Sequence, residues 1–370
     1  MSAPVSAPNQ ERQDRQDGQK SREWEDAPEA GPAGSTARTE WRIRPEFTFT
    51  DGERAALERA FEELNANPYR VYDAHRFQVG RLVAEGVVPE RFRRFVAQLA
   101  DRDRSREPVV VMKNVPYDRD VPVFDYDEPV RSKYEVKKTF LAEAFLALFA
   151  RLAGTPAIGY VNVNDGDVFQ DIYPKRSLSS SQSQKALDRI HFHKDLANHF
   201  VRPDQVYMVG MRSNPVNEVY TSFVRNIDVI ASFSAEELAL LRRPEFHTPF
   251  DDLTVKGGSL ELGEADRHPI ISGEDDLRYF ENRTVGVTDE AKAIVPQLSA
   301  TLHALKQRVF IEPGDFVITY NNHTVHAKEV VTVGDPEALK SRWIIKTVNV
   351  DDIEPHRHHL VAGTDYLVNG

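Results

Sequence analysis

A histidine and an aspartate lie two residues apart in IHFHKD, residues 190–195. On a β-strand, side chains two residues apart share a face, so His193 and Asp195 would point the same way, as two ligands of one metal ion do. A third ligand must come from elsewhere in the chain. The best donor lies in NNHTVHAK, residues 321–328, directly after a predicted strand. These residues predict a metal site with two imidazoles and one carboxylate.

Such a ligand set has a defined chemistry. Two imidazoles and one carboxylate on one face of an octahedral metal leave three positions open, which is the facial triad of non-haem Fe(II) oxygenases. A 2-oxoacid takes two open positions through its C1 carboxylate and C2 carbonyl, and dioxygen takes the third. The cofactors predicted in this way are Fe(II), a 2-oxoacid and O2.

Two choices of ligand stay open on spacing alone. His191 lies on the same strand face as His193, and a His191/His193 pair would favour a cupin site. The cupin pattern also needs a glutamate a few residues later, where this chain has Leu-Ala-Asn at positions 196–198. In the second segment His323 competes with His326. A His-x-Asp pair also occurs in many strands as simple polar surface.

Composition limits the other possibilities. The chain has 370 residues, 40% of them hydrophobic, and a net charge of −11, which disfavours a nucleic-acid or anionic-membrane partner. Because there is no cysteine, disulfides, thiolate metal sites and a cysteine nucleophile are excluded. The N-terminus has no apolar leader segment, and no apolar run approaches about 18 residues. We expect a cytoplasmic protein.

The elements that must position these residues fall into two parts. Residues 1–40 are polar and predict a disordered tail, and residues 41–370 predict one domain. FTFTDGERAALERAFEEL predicts a short strand and then a helix capped by Thr50 or Asp51, and FLAEAFLALFARLAG predicts a helix that Gly154 ends. Further predicted elements are helices in VYDAHRFQVGRLVAEGV and PERFRRFVAQLADRD, and strands in PVVVMKNV and AIGYVNVN.

After about residue 190 the pattern becomes β-rich. Predicted strands are IHFHKD, DQVYMVGMRS, VYTSFVR, LRYFENR, RVFIEP, DFVITYN and WIIKTVNV. Two helices, SAEELALLRR and TDEAKAIVPQLSATLHALKQ, interrupt them. Short strands separated by turns favour a barrel or sandwich, with the N-terminal helices packed outside.

The motifs, taken together, resemble a known family. IGYVNVNDGDVFQDIYP, HFHKDLANHF, MVGMRSNPVNEVYTSF, EPGDFVITYNNHTVHAK and SRWIIKTVNV occur in the order found in clavaminate synthase-like Fe(II)/2-oxoglutarate oxygenases, close to the bacterial arginine and asparagine hydroxylases. Taurine dioxygenases are more distantly similar. The resemblance covers about residues 105–350. It implies an α+β, mainly β fold, with a double-stranded β-helix (jelly roll) core flanked by N-terminal and inserted helices.

The resemblance also implies roles for the metal and co-substrate residues. It selects His193 over His191 and His326 over His323, so that His193, Asp195 and His326 hold the metal. Arg342, 16 residues beyond His326, matches the arginine that binds the distal carboxylate of 2-oxoglutarate, to which a planar guanidinium is suited.

Further residues match the co-substrate and substrate positions. Thr221 matches a hydroxyl that hydrogen-bonds the distal carboxylate of 2-oxoglutarate. Lys346 replaces a second family arginine that contacts the substrate carboxylate. Asn162 matches a polar side chain that meets the substrate backbone, with Asn164 as an alternative after a small shift. Glu281, in LRYFENR, is a candidate for the substrate side chain, although the acidic pair of the arginine hydroxylases is absent there.

The function expected from this resemblance is hydroxylation of an unactivated C–H bond in a free amino acid or a similar small molecule, in antibiotic or peptide biosynthesis. Desaturation or cyclisation would use the same ligands. The related halogenases lack the carboxylate ligand, so the presence of Asp195 argues against halogenation. Two alternatives come from other classes: a zinc hydrolase, which would leave Arg342 unexplained, and a barrel that binds a ligand without catalysis. Oligomeric state is not predicted.

Overall fold

The computed structural model describes residues 41–249 and 266–369, and the predicted tail at 1–40 lies outside these described residues. Residues from Trp41 onward form one compact unit. No helix in the described part of the chain is long and apolar enough to cross a membrane.

The helices begin and end where local chemistry dictates. Thr50 caps the first helix with a capping box, in which its hydroxyl accepts from the Glu53 amide and Glu53 accepts from the Thr50 amide. Gly154 ends the fifth helix in a left-handed conformation with φ 71°, as predicted. The helices are α1 Asp51–Glu62, α2 Tyr72–Ala84, α3 Glu90–Gln98, α4 Pro129–Val136, α5 Leu141–Ala153, α6 Asn226–Ile230, α7 Ala235–Leu241, α8 Asp289–Leu305 and α9 Pro336–Lys340.

The strands are mostly short. They are β1 Pro45–Thr48, β2 Val109–Lys113, β3 Ala157–Tyr160, β4 Gln170–Ile172, β5 Ile190–His193, β6 Gln205–Arg212, β7 Asn217–Arg225, β8 Phe246–His247, β9 Arg267–His268, β10 Ile271–Ser272, β11 Asp276–Leu277, β12 Val285–Gly286, β13 Gln307–Val309, β14 Phe316–Tyr320, β15 Thr324–Val333, β16 Trp343–Asn349 and β17 Leu367–Val368. Short 3-10 turns occur at Leu99–Asp101, Asn164–Gly166, Arg176–Leu178 and Glu354–His359.

Two sheets carry the site. The larger has the order β1-β2-β14-β6-β16-β3-β17, with β4 paired to β16, and the smaller has the order β13-β7-β15-β5. Val206, Met208 and Ile344 of the larger sheet pack against Phe223 of the smaller one, so apolar residues of both sheets form one buried cluster. Helices α1, α2, α3 and α5 cover the other face of the larger sheet, as predicted.

Four strand predictions are wrong in extent, among them RVFIEP, of which only the first two residues belong to a strand, β13. IHFHKD is extended only to His193, so Asp195 lies beyond the strand. AIGYVNVN is a strand only over Ala157–Tyr160, and a 3-10 turn follows. LRYFENR is largely a turn, with β11 ending at Leu277 and a single bridge from Phe280 to His193. Only isolated backbone hydrogen bonds continue beyond these limits, such as those from the Val161 amide to the Val368 carbonyl at 3.1 Å and from the Lys194 amide to the Tyr279 carbonyl at 3.3 Å.

Candidate metal and co-substrate site

Cross-strand pairing brings the two histidines together. His326 of β15 lies directly opposite His193 of β5 in the antiparallel register, and their ring centroids are 4.5 Å apart. The partners are 133 residues apart in sequence, so only the strand register makes them neighbours.

A turn, and not a strand face, brings Asp195 to them. Leu196 adopts a positive φ of 53°, which turns the chain immediately after Asp195. The buried side chain of Asn321 holds this turn, because its Oδ1 accepts from the Asp195 amide at 3.1 Å and its Nδ2 donates to the Asp195 carbonyl at 3.1 Å. The same Nδ2 also donates to the carbonyl of Pro203 at 2.8 Å.

The three side chains converge through their ligand atoms. Asp195 Oδ1 lies 3.2 Å from His193 Nε2 and 3.7 Å from His326 Nε2. One donor atom from each of the three residues lies within 4.8 Å of the others. The convergence of two imidazole nitrogens on one carboxylate oxygen is the arrangement that a shared cation requires.

Protonation at the three donors also suits a metal. His193 Nδ1 lies 2.8 Å from the His191 carbonyl, which leaves Nε2 as the free lone pair. Burial, followed by the nearby His193, lowers the pKa of His326 to about 3, so this imidazole is neutral. Burial opposes ionisation of Asp195, but the Lys346 ammonium beside it holds the pKa of this carboxyl well below the ordinary value. An ionised carboxylate, the neutral His326 imidazole and the Nε2 of His193 are a donor set that fits Fe(II).

The competing histidines lie elsewhere. The ring of His191 faces Glu281, with its Nδ1 3.3 Å from Glu281 Oε2. The ring of His323 pairs with Asp275 at 2.7 Å and borders a different depression of the surface. The structure therefore brings His193 and His326, and neither competitor, to Asp195.

A cavity of about 300 Å³ opens beside the three ligands. Its walls include Arg342, Thr221, Lys346, Asn162 and Asn164, which were predicted from the sequence, in addition to the triad itself. The predicted co-substrate and substrate residues thus share one space with the metal ligands, with Glu281 as the exception.

Arg342 is a buried cation that faces this cavity without an acidic partner. Its side chain is 7% exposed, and burial lowers the pKa of its guanidinium to about 10. Within the described ranges, no carboxylate lies within ion-pair distance of it. Because an unpaired buried charge is costly, this guanidinium requires an anionic ligand.

Lys346 occupies a different position from the one predicted. Its ammonium donates to Asp195 Oδ2 at 2.8 Å and so contacts the proposed metal ligand itself. Lys346 lies on β16, four residues beyond Arg342, which directly precedes the strand, and both side chains face the cavity. The Lys346 ammonium thus contacts Oδ2 of Asp195, whereas Oδ1 faces the two histidines.

Several amide groups lining the cavity have unsatisfied atoms. Asn162 Oδ1, Asn164 Nδ2 and Gln170 Nε2 are buried and have no hydrogen-bond partner among the described residues. Gln170 is 1% exposed and lies opposite Lys346 in the register of β4 and β16. Buried amides are normally paired, so these groups are suited to a polar ligand.

Glu281 does not reach the cavity. Its carboxylate accepts from the Phe192 amide at 3.1 Å, from Ser299 Oγ at 2.5 Å and from His303 Nε2 at 2.7 Å. Burial opposes its ionisation, but these hydrogen bonds lower the pKa of Glu281 to about 2. The substrate role predicted for Glu281 is corrected: the carboxylate ties β5 to α8.

Sequence analysis missed four residues that shape the site: Asn321, Gln170, Lys185 and Lys328. The latter two supply further cations to the cavity wall. NNH precedes the distal histidine, so the position of Asn321 in the turn was a usable signal. No pattern in the sequence marks Lys185, because its segment reads as a polar loop.

Comparisons with known proteins agree with this geometry. No family model matches the chain. The chain is 26% identical over 292 residues to L-lysine 3-hydroxylase of Catenulispora acidiphila, covering 77% of this chain and 78% of that protein. It is 26% identical over 202 residues to clavaminate synthase 2 of Streptomyces clavuligerus, covering 52% of this chain and 59% of that protein.

Among solved structures, the fold matches asparagine oxygenase in complex with Fe(II), a hydroxyasparagine and succinate. The TM-score is 0.73 at 21% identity, covering 88% of this chain and all of that chain. This match shows the fold, a mixed α/β architecture with a large sheet.

Proposed function

We propose that this chain, a relative of the clavaminate synthase-like oxygenases, is an Fe(II)- and 2-oxoglutarate-dependent dioxygenase that hydroxylates a C–H bond of a free amino acid or a closely similar molecule. The observation that carries the proposal is the presence of two features in one cavity. These are the His193, Asp195 and His326 donor set and the unpaired, buried guanidinium of Arg342.

We infer that residues 41–370 form one oxygenase domain whose two facing sheets are a double-stranded β-helix, or jelly roll. The smaller sheet supplies His193 and His326, β16 of the larger sheet supplies Lys346, and Arg342 directly precedes β16. A site between two sheets is rigid, because each ligand lies on or directly beside a hydrogen-bonded strand.

The residues of the site have separate roles. His193, Asp195 and His326 hold Fe(II), which when bound activates dioxygen for oxidation of the substrate at the expense of 2-oxoglutarate. Arg342 binds the distal carboxylate of 2-oxoglutarate, and Thr221 offers a hydroxyl on the same wall of the cavity. Lys346 holds the free oxygen of Asp195 and so orients this ligand.

Asn162, Asn164 and Gln170 face the remaining space. Their unpaired atoms match the donors and acceptors of an amino-acid backbone. We assign them to substrate orientation, which sets the C–H bond that is oxidised.

The proposal is tested by incubating the protein with Fe(II), 2-oxoglutarate and ascorbate, with each proteinogenic amino acid in turn. We expect succinate to form with at least one of them, and the product to gain the mass of one oxygen atom. Loss of two hydrogen atoms from the substrate would indicate desaturation or ring closure instead. Absence of oxygen-dependent succinate with every substrate, together with failure to bind 2-oxoglutarate, would refute the proposal.

A further inference from the structure

The cavity beside the metal ligands is lined by more positive than negative charge. In the described part of the chain, five basic side chains line its wall, those of Lys185, Arg283, Lys328, Arg342 and Lys346, whereas Asp195 is the single carboxylate there. Four of these five basic groups are already engaged by the protein or by the proposed co-substrate. Arg283 Nη1 donates to the carbonyl of Pro249 at 3.1 Å. Lys346 donates to Asp195, Arg342 is assigned to 2-oxoglutarate, and Lys328 donates to the carbonyls of Ala186 and Leu187 at 2.7 and 3.0 Å.

Lys185 is the cation that remains. Its ammonium has no hydrogen bond or ion pair within the described ranges. The acid that acts most strongly on Lys185 is Asp171, and both of its oxygens already have other partners: Oδ2 accepts from Lys133 Nζ at 2.6 Å and Oδ1 from Trp343 Nε1 at 2.9 Å. Burial lowers the pKa of Lys185 to about 8, against the opposing effect of Asp171. An amine in this position is stabilised by an anionic ligand.

The backbone holds Lys185 in place. Its carbonyl accepts from the Lys175 amide at 2.9 Å, and the neighbouring Ala186 amide donates to the Ser183 carbonyl at 2.9 Å. The bonds from Lys328 fasten the next two carbonyls to β15. The backbone that carries Lys185 is therefore anchored to the cavity wall.

We infer that the amino acid accepted by this cavity is acidic, and that its side-chain carboxylate pairs with Lys185. A basic side chain, such as that of the substrate named for the lysine 3-hydroxylase relative, would find no carboxylate in the described wall other than the metal ligand Asp195 and would be repelled by the basic groups there. This inference rests on the proposed function and names the substrate class of the same site.

The test compares acids with their amides of nearly equal shape: L-aspartate with L-asparagine, and L-glutamate with L-glutamine, with L-lysine and L-arginine as basic substrates. We expect kcat/KM for the better acid to exceed that for its amide by on the order of tenfold or more, the discrimination that a charge-assisted pair provides. Binding is measured separately as the rise in Tm that each amino acid causes in protein loaded with Mn(II) and 2-oxoglutarate, without turnover.

Lys185→Met and Lys185→Gln should reduce this preference for the acid to near unity and leave the KM for 2-oxoglutarate unchanged. Lys175→Met is the matched control: it removes a charge from the same segment, but Lys175 pairs with Glu128 outside the cavity, so the preference should persist. Preferred turnover of L-lysine, L-arginine or an amide would overturn the inference while leaving the oxygenase proposal intact. An increase confined to the KM for 2-oxoglutarate would also overturn it, because Lys185 would then serve the co-substrate.

Discussion

At the scale of single residues, the proposed function depends on the donor set His193, Asp195 and His326. Among the described residues, one ligand atom each from two histidines and an ionised aspartate lie within 4.8 Å of one another, and a bound cation explains this convergence. Spacing along the chain suggested this set but left His191 and His323 as competitors, and only the family resemblance selected between them. The structure adds the physical reason, because His191 contacts Glu281 and His323 contacts Asp275, and spacing does not show these non-local contacts.

Removing either imidazole should abolish metal binding. We expect His193→Ala and His326→Ala to retain no stoichiometric Fe(II) after anaerobic loading and desalting, measured by metal analysis. His323→Ala is the matched control and should bind iron normally, because His323 pairs with Asp275 away from the triad. Near-normal succinate production by either triad variant would rule out the assigned ligands.

Arg342 should govern the requirement for 2-oxoglutarate. Arg342→Ala removes a buried charge-assisted contact worth roughly 1.5–3 kcal/mol, so the KM for 2-oxoglutarate should rise by roughly 10- to 100-fold. Arg342→Lys keeps the charge but loses the planar guanidinium, so its KM for 2-oxoglutarate should lie between those of the unaltered protein and Arg342→Ala. Arg357→Ala, at an exposed site paired with Glu354, serves as control. An unchanged KM in Arg342→Ala would transfer the role to another cation of the wall.

At the scale of elements, the site forms where a strand end meets a turn. Alternation along IHFHKD predicted that His193 and Asp195 point the same way, and their side chains do meet, but not for that reason. The strand ends at His193, and the turn held by Asn321 positions the Asp195 carboxylate beside the two histidines. Sequence patterns identify strands well and fail at their ends, because an end depends on whether a neighbouring strand continues.

The Asn321 clamp should be needed for metal affinity. Asn321→Ala removes hydrogen bonds to both backbone groups of Asp195, so we expect the dissociation constant for Mn(II) to increase roughly 10-fold or more. Asn322→Ala is the matched control: its side chain bonds Asp204 and does not touch Asp195. Equal affinities in the two variants would show that the turn keeps its shape without the clamp.

Helix α2 carries a pH-dependent contribution to stability through His75. Burial lowers the pKa of His75 from its ordinary value of 6.5 to about 4, against a hydrogen bond to the Ala66 carbonyl. Between these values the unfolded chain binds a proton that the folded chain does not, so stability falls as the pH drops from 6.5 to 4, by roughly 3 kcal/mol. When the free energy of unfolding is measured with denaturant at several pH values, His75→Gln should not show this loss of stability between pH 6.5 and 4. The same pH dependence of the free energy of unfolding in His75→Gln and in the unaltered protein would contradict this role of His75.

At the scale of the whole molecule, the order of motifs along the chain indicated a mainly β fold with outer helices, and the match to asparagine oxygenase bears out a mixed α/β fold with a large sheet. The sequence does not show which role each residue of the cavity has. Arg342, Ile344 and Lys346 all face the same side of β16, so alternation alone cannot distinguish a co-substrate ligand from a residue that supports Asp195.

The fate of molecular oxygen tests the central claim most directly. Turnover under 18O2 with Fe(II), 2-oxoglutarate and an accepted amino acid should place one labelled atom in succinate and the other in the hydroxylated product. Mass spectrometry of succinate provides the main readout, since that oxygen does not exchange readily. Succinate that forms without label, or product oxygen derived from water in the absence of O2 consumption, would contradict the account and favour a hydrolytic metal site.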